Sequence, residues 1–286
     1  FYVACDRPPA PGSGEGGLQV RFRLAGTPGG LAQSTRDLRD FASISIADDR
    51  ESGVETTEIQ AAAGLAWRSS GGGVGALGYV AADRSRSSDS SAKEDDLLQL
   101  GARLSWIIDR SMASGPDDQV FNDHRVSVDL AYMTDSDHEA RGYRGALIFS
   151  PGLDWRGYRR YQTFQESGWL EFAWAAQAVV DYLQVQEQGS AFASADESLA
   201  RIGADFDLLI STARDHSWGV PLVSLGYDIR EPFTASDRSL SMFTAGLGFA
   251  PSKYSPVSVQ LQYANGEDFD SLEAEEEITV RLGVRY

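Results

Sequence analysis

The chain has a single cysteine, Cys5, so no disulfide can form within it. Its three histidines are not clustered with cysteine at the spacing of a zinc site, and no metal or other cofactor is expected. The phosphate-cradling pattern GxxxxGK is missing; the run GGGVGALG from Gly71 leads into a small-residue strand and not into a helix. Basic residues are scarce, with 25 Lys and Arg against 42 Asp and Glu and a net charge of −17. An acidic surface without a basic stripe argues against nucleic acid as a partner. Long apolar runs are also lacking, since nothing approaches the roughly 18 uninterrupted apolar residues of a membrane helix. That absence excludes helical spans only, because the strands of a membrane barrel alternate and leave no apolar run. Phe1 opens the sequence without a charged start and long apolar run, so any export signal has been removed or was never included.

What is abundant is glycine, aromatic residues and alternation. Twenty-nine Gly stand beside thirteen Phe, eleven Tyr and six Trp, a composition of many short strands joined by tight turns. Apolar and polar residues alternate over twelve stretches: 38–47, 55–68, 73–82, 97–109, 123–134, 143–155, 168–182, 198–211, 218–230, 239–250, 256–265 and 275–286. In the fourth, Leu98, Leu100, Ala102, Leu104, Trp106 and Ile108 share one face, opposed by Gln99, Gly101, Arg103 and Ser105. The seventh sets Leu170, Phe172, Trp174, Ala176, Ala178, Val180 and Tyr182 against Glu171, Gln177 and Asp181. In the eighth, Ile202, Ala204, Phe206, Leu208 and Ile210 oppose Arg201, Asp205 and Asp207. A soluble sandwich also alternates, but with strands of about five or six residues. Stretches of about ten to fifteen fit tilted strands that cross a bilayer.

The fold class read from this pattern is all-β: an antiparallel transmembrane β-barrel of twelve strands over 38–286, preceded by an irregular N-terminal segment. That segment, 1–37, is Pro- and Gly-rich and serves as a tether or a lumen plug. Within it only Leu18 to Ala25 alternates, and Arg21 and Arg23 suit a strand outside the membrane or inside a polar lumen. An even strand number places both ends of the barrel on the same side.

From Ile278 the even positions read Ile278, Val280, Leu282, Val284 and Tyr286, and the odd ones Thr279, Arg281, Gly283 and Arg285. A strand of this pattern that ends on an aromatic resembles the closing strand of bacterial outer-membrane β-barrel proteins. The resemblance implies an outer-membrane location with both termini periplasmic. It also implies contact with outer-membrane lipid and lipopolysaccharide, and recognition of the C-terminal strand by the barrel-insertion machinery. A periplasmic or surface protein is a further possible partner. Val3, Ala4 and Cys5, followed by DRPPAPGSGEGG, faintly resemble a lipoprotein acylation site with its tether; a cysteine without that role is the alternative.

Connection lengths follow the same topology. SSGGG at 69, RDHS at 214 and PSKYS at 251 are short and fall where inner turns belong, while the long polar runs at 83, 184 and 265 fall where external loops belong. The inner connections around 110–122 and 156–167 are longer than this rule expects. Strand directions place Trp67, Trp106, Trp155, Trp218, Phe249 and Tyr286 at inner ends and Tyr132, Tyr143, Tyr182, Tyr227 and Tyr263 at outer ends, as two interfacial girdles.

The lumen face collects charge of both signs: Arg68, Arg103, Arg125, Arg201, Arg230, Arg281 and Arg285 beside Asp129, Glu171, Asp181, Asp205, Asp207 and Asp228. Such charges should pair across the confined space, because an unpaired charge away from bulk water is costly. Two functions stay open. One is a narrow pore or translocation channel for small polar solutes or an exported chain, resembling translocator barrels in which an N-terminal segment threads the pore. The other is an anchoring barrel with a closed lumen that holds or assembles a cell-envelope complex. Most of the remaining acid, such as Asp89, Glu94, Asp95, Glu139 and Asp270, falls in external loops, where it would concentrate cations. Catalysis is not expected. The phospholipases among such barrels carry His and Ser two residues apart on one strand face, whereas His124 and Ser127 are three apart on opposite faces. His216, in DHS at 215–217, is flanked by triad residue types in a turn too short for them to converge. On unheated electrophoresis the purified, detergent-dependent chain should migrate differently from the boiled sample; a soluble monomer indifferent to heating would refute the barrel.

Overall fold

The computed structural model describes residues 19–25, 42–49, 54–68, 73–87, 96–109, 124–135, 139–153, 155–156, 158, 162–163, 168–187, 198–212, 219–233, 239–252, 255, 257–267, 269 and 274–284. The regular elements among them are strands: β1 (Gln19–Ala25), β2 (Ala42–Asp49), β3 (Val54–Arg68), β4 (Val74–Ser87), β5 (Asp96–Asp109), β6 (His124–Thr134), β7 (Arg141–Ser150), β8 (Gln162–Thr163), β9 (Leu170–Glu187), β10 (Ser198–Thr212), β11 (Val220–Pro232), β12 (Leu240–Ala250), β13 (Val257–Glu267) and β14 (Ala274–Val284).

All pairings between these strands are antiparallel, and chain neighbours lie side by side from β2 through β7 and from β9 through β14. β7 pairs with β9, and β14 pairs with β2, so the succession of ladders returns to its starting strand. Two strands, β1 and β8, stand beside this ring, which therefore holds the twelve strands expected from the alternation. Several arms run further than their apolar pattern: β4 continues to Ser87 and β9 to Glu187. On β4 the pairing beyond Ala82 proceeds through polar residues on both faces, which leave no two-residue signal, whereas on β9 Leu183 and Val185 turn an apolar face inward, opposite to the outward apolar face that precedes them. The stretch expected over 143–155 instead stops at Ser150.

Register keeps the two faces in step around the ring. Ala76, Leu104, Val128, Leu147, Val180 and Ile202 are successive Cα partners from β4 to β10, and they form one outward row. This face stays uncovered, with Leu100 60% and Ile108 65% exposed. An apolar belt of that extent needs an apolar surrounding. Hydrocarbon supplies one, and in hydrocarbon every backbone group must find its partner within the sheet.

Stagger between strands leaves edges that the ring does not pair, and short extra pieces cover two of them, on β3 and on β9. β2 pairs with β3 only through Val54–Gln60, and β1 pairs with Ala62–Arg68 on the remainder. The alternating piece at 18–25 thus belongs to the same sheet. β7 ends opposite Ala178, below which β8 pairs with Glu171 and Phe172, and Tyr158 bridges to Trp174. Tyr158 is fully buried, and its hydroxyl hydrogen lies between the carbonyl oxygens of Pro151 at 2.6 Å and Ala176 at 3.1 Å. The unexpectedly long connection after β7 is therefore a patch on the edge of β9. Replacing Leu104 with Arg on the outward face should cost about 2 to 4 kcal/mol near the bilayer midplane, measured as folding yield and denaturant midpoint in lipid vesicles; an unchanged midpoint would show the register to be wrong.

Candidate functional site

The inward face carries two charge clusters built to one plan. On β5 the sequence Gly101, Ala102, Arg103 places a glycine and an arginine two residues apart, on the same face. Arg103 is the Cα partner of Asp129 on β6, and its Nε donates to Asp129 Oδ2 at 3.0 Å, with Nη2 on the same oxygen. Gly101 is the partner of Tyr79 on β4. Because Gly101 has no side chain, the Tyr79 ring lies flat across it and donates its hydroxyl hydrogen to Asp129 Oδ1 at 2.9 Å. A Cβ at position 101 would fall on that ring and 2.8 Å from the carbonyl oxygen of Leu130.

On β10 the same elements run in the opposite order, Arg201, Ile202, Gly203. Arg201 is the partner of Asp181 on β9 and donates from Nε to Asp181 Oδ1 at 2.6 Å. Gly203 is the partner of Arg230 on β11, whose side chain crosses it to put Nε 3.3 Å from Asp181 Oδ2. A Cβ at 203 would collide with the carbonyl of Ile229 and sit 2.9 Å from Arg230 Cδ. Arg230 also pairs through Nη1 with Asp205 Oδ1, and Gln177 donates to Asp205 Oδ2 at 2.7 Å. Arg201 is only 1% exposed, so its charge depends on this relay. Truncating one partner of such a buried pair typically costs about 3 to 5 kcal/mol.

These pairs run along the wall, between adjacent and next-adjacent strands, where the sequence suggested pairing across the lumen. The physical reason is reach: twelve tilted strands spaced about 4.8 Å apart enclose a cylinder roughly 25 Å across between backbones. An arginine and an aspartate together span only about half of that. Apolar inward residues pack along the wall in the same way. Leu77, Tyr79, Met133 and Leu183 belong to one cluster, with Met133 and Leu183 at 0% exposure, and Leu209, Val220 and Leu222 form another.

The remaining expected lumen residues take inward register positions. Arg125 and Glu171 face in from β6 and β9, and Glu171 accepts from Ser211 Oγ at 3.0 Å. Asp228 is the Cα partner of Asp205, and Asp207 that of Gly226. Arg68 and Arg281 hold inward positions in β3 and β14. Arg285, Trp218 and Tyr286 lie outside the described residues. Among the girdle residues, Trp106, Tyr143, Tyr182, Tyr227 and Phe249 point outward and are exposed. The Tyr132 and Tyr143 rings are tilted against each other with centroids 5.5 Å apart, and Tyr263 donates to Glu276 at 3.4 Å. Trp67 takes an outward position but is half-buried, its Nε1 without a partner among the described residues. Trp155 belongs to the connection after β7 and packs on Trp174 at 5.8 Å. His124 Nδ1 accepts from the Gly152 amide, and Ser127 bonds Ser105 within the lumen wall.

Tyr79 and Gly203 were not singled out from the sequence, and Gly101 and Gln177 only as members of a polar face, although a Gly and an Arg two apart on an inward face is a readable signal. Phe269 left no such signal. It lies in the connection after β13, and its carbonyl accepts from Arg201 Nη1 at 2.5 Å. Its ring centroid lies 4.9 Å from Arg230 Cζ and 6.0 Å from Arg201 Cζ.

No family model and no curated protein matches the chain. Among solved structures it is similar to the beta domain of the Bordetella autotransporter BrkA, with a TM-score of 0.43 and 11% identity over 93% of this chain and 98% of that one.

Gly101→Ala should break the Tyr79 to Asp129 contact and lower stability by about 1 to 3 kcal/mol. Gly78→Ala, where an added Cβ meets nothing within 4 Å, should be neutral. Denaturant titration of both variants in micelles checks the contrast, and equal effects would contradict the crossing geometry.

Proposed function

We propose that this chain is an outer-membrane β-barrel that forms a narrow pore for small polar solutes. The observation that carries the reading is the direction of the ionic contacts. Both clusters are satisfied within the wall, on β4 to β6 and on β9 to β11, so the contacts that hold these charges do not need to bridge the axis. A lumen lined by hydrogen-bonded, paired charge accepts water more readily than an apolar one, because polar groups facing it keep favourable partners. Twelve strands lie between barrels that side chains fill and those that leave an open aqueous channel. The acidic character of the loop sequences would favour cations at the entrance.

The outward apolar belt and the C-terminal alternation support the membrane assignment, with periplasmic termini and contacts to lipid and lipopolysaccharide. The rival role, a barrel that anchors a cell-envelope complex with its lumen shut, draws support from the contact between Phe269 and the two arginines. Reconstituted chain should give discrete, cation-selective steps in a planar bilayer and should admit small sugars in liposome swelling. A version beginning at residue 19 retains β1 on β3, and larger currents from it would identify the preceding residues as a plug. Absence of both current and swelling from protein shown to be inserted would refute the pore and favour the anchor.

A further inference from the structure

We propose that the lumen wall separates charge so as to favour small solutes that carry both signs; the inference rests on the pore reading and names its solute class. The two buried clusters close on themselves. Arg103 with Asp129 sums to zero, and so do Arg201 and Arg230 with Asp181 and Asp205. What they leave over is sorted by sign. On β6 and β7 the further inward charges are Arg125 and Arg144, both positive. On β9, β10 and β11 they are Glu171, Asp207 and Asp228, all negative. These five side chains are only partly buried, whereas Asp129, Asp181, Arg201 and Arg230 are buried. Bonds made within either wall leave its excess as it is, two positive charges on one side and three negative on the other. Neutral strands flank both walls. Beside Arg103, β4 turns Leu77 and Tyr79 inward. Beyond β11, β12 and β13 turn in Thr244, Gly246, Gln260 and Gln262.

The two walls stand at one level. Strands tilted by about 40° raise each step along a partner row by about 3 Å toward the end at which β5 and β10 begin. The row from Arg103 passes Asp129, Ala146 and Asp181 to Arg201. The level of Arg103 is therefore regained on β10 about five residues further in, between Asp205 and Asp207. On the positive side Arg125 and Arg144, the latter opposite Ala131, bracket Asp129. On the negative side Asp205 and Asp228 are Cα partners, with Asp207 next on the same face. Like charges at directly opposed positions destabilise a sheet, so a wall shaped for stability alone would not gather three carboxylates there. A solute with one charge of each sign gains at both walls when its dipole lies along the separation, and low-dielectric walls focus the field between them. An uncharged solute gains at neither.

The test compares swelling rates of liposomes holding the full chain in glycine, a zwitterion, and in glycolamide, its uncharged isomer. Asp207→Asn combined with Asp228→Asn should lower the ratio of glycine to glycolamide entry about threefold. Arg125→Gln combined with Arg144→Gln should lower it by a similar factor, from the opposite wall. In both variants glycolamide should enter at the parent rate, which a merely structural role for these residues would not preserve. Heat-modified migration verifies folding; where a double variant fails to fold, Asp207→Asn or Arg144→Gln alone should move the ratio the same way by less. An unchanged ratio in folded variants, or an equal fall for both solutes, would overturn the charge separation and leave the pore standing. Entry of neither solute into vesicles that hold inserted parent chain would remove the pore, and this inference with it.

Discussion

Backbone hydrogen bonding in an apolar surrounding is the constraint from which the rest of this architecture follows. A strand edge exposed to hydrocarbon leaves a row of amide and carbonyl groups with neither water nor protein to meet them. A ring of twelve antiparallel ladders answers most of that demand. It cannot answer all of it, because tilted strands close a ring only with stagger, and stagger leaves strand ends that outrun their neighbours. β3 and β9 are two such strands, and each is covered on its open edge by a separate piece of chain. At β9 even the tyrosine hydroxyl of Tyr158 is enlisted, for a carbonyl that the ladder leaves over.

Closing the ring fixes which side chains meet. Each inward residue has two Cα partners, and a side chain of ordinary length reaches one strand further only if the residue between is small. Gly101 and Gly203 provide those gaps, and through them Tyr79 reaches Asp129 and Arg230 reaches Asp181. The wall is thereby cross-linked over three strands at two places, with the charged groups neutralised where they stand. A lumen lined in this way keeps its shape without spokes. Bracing of this kind runs along the wall, between neighbouring and next-neighbouring strands, and does not need to cross the interior.

The outward and inward faces were legible because the two-residue period is a property of the extended backbone itself. Leu98 through Ile108 and Leu170 through Tyr182 alternate so regularly that their face assignment needs no knowledge of neighbours. The inward set of arginines and aspartates followed from the same parity. The ends of strands were less legible, as at Ser87 and Ser150, because polar pairing beyond the membrane and irregular chain look alike in sequence. The patch over β9 was invisible, since Tyr158 is isolated from any alternating run and its role depends on how far β7 falls short.

The sequence by itself determined the sheet character, the number of strands in the ring and the face that their residues occupy, because these depend on local geometry repeated every two residues. Only the tertiary structure decided that Asp129 takes Tyr79 and Arg103, that Asp181 is shared by Arg201 and Arg230, and that Phe269 lies against the latter pair. Those contacts depend on register between strands distant in the chain, and register is set by the closure of the whole ring.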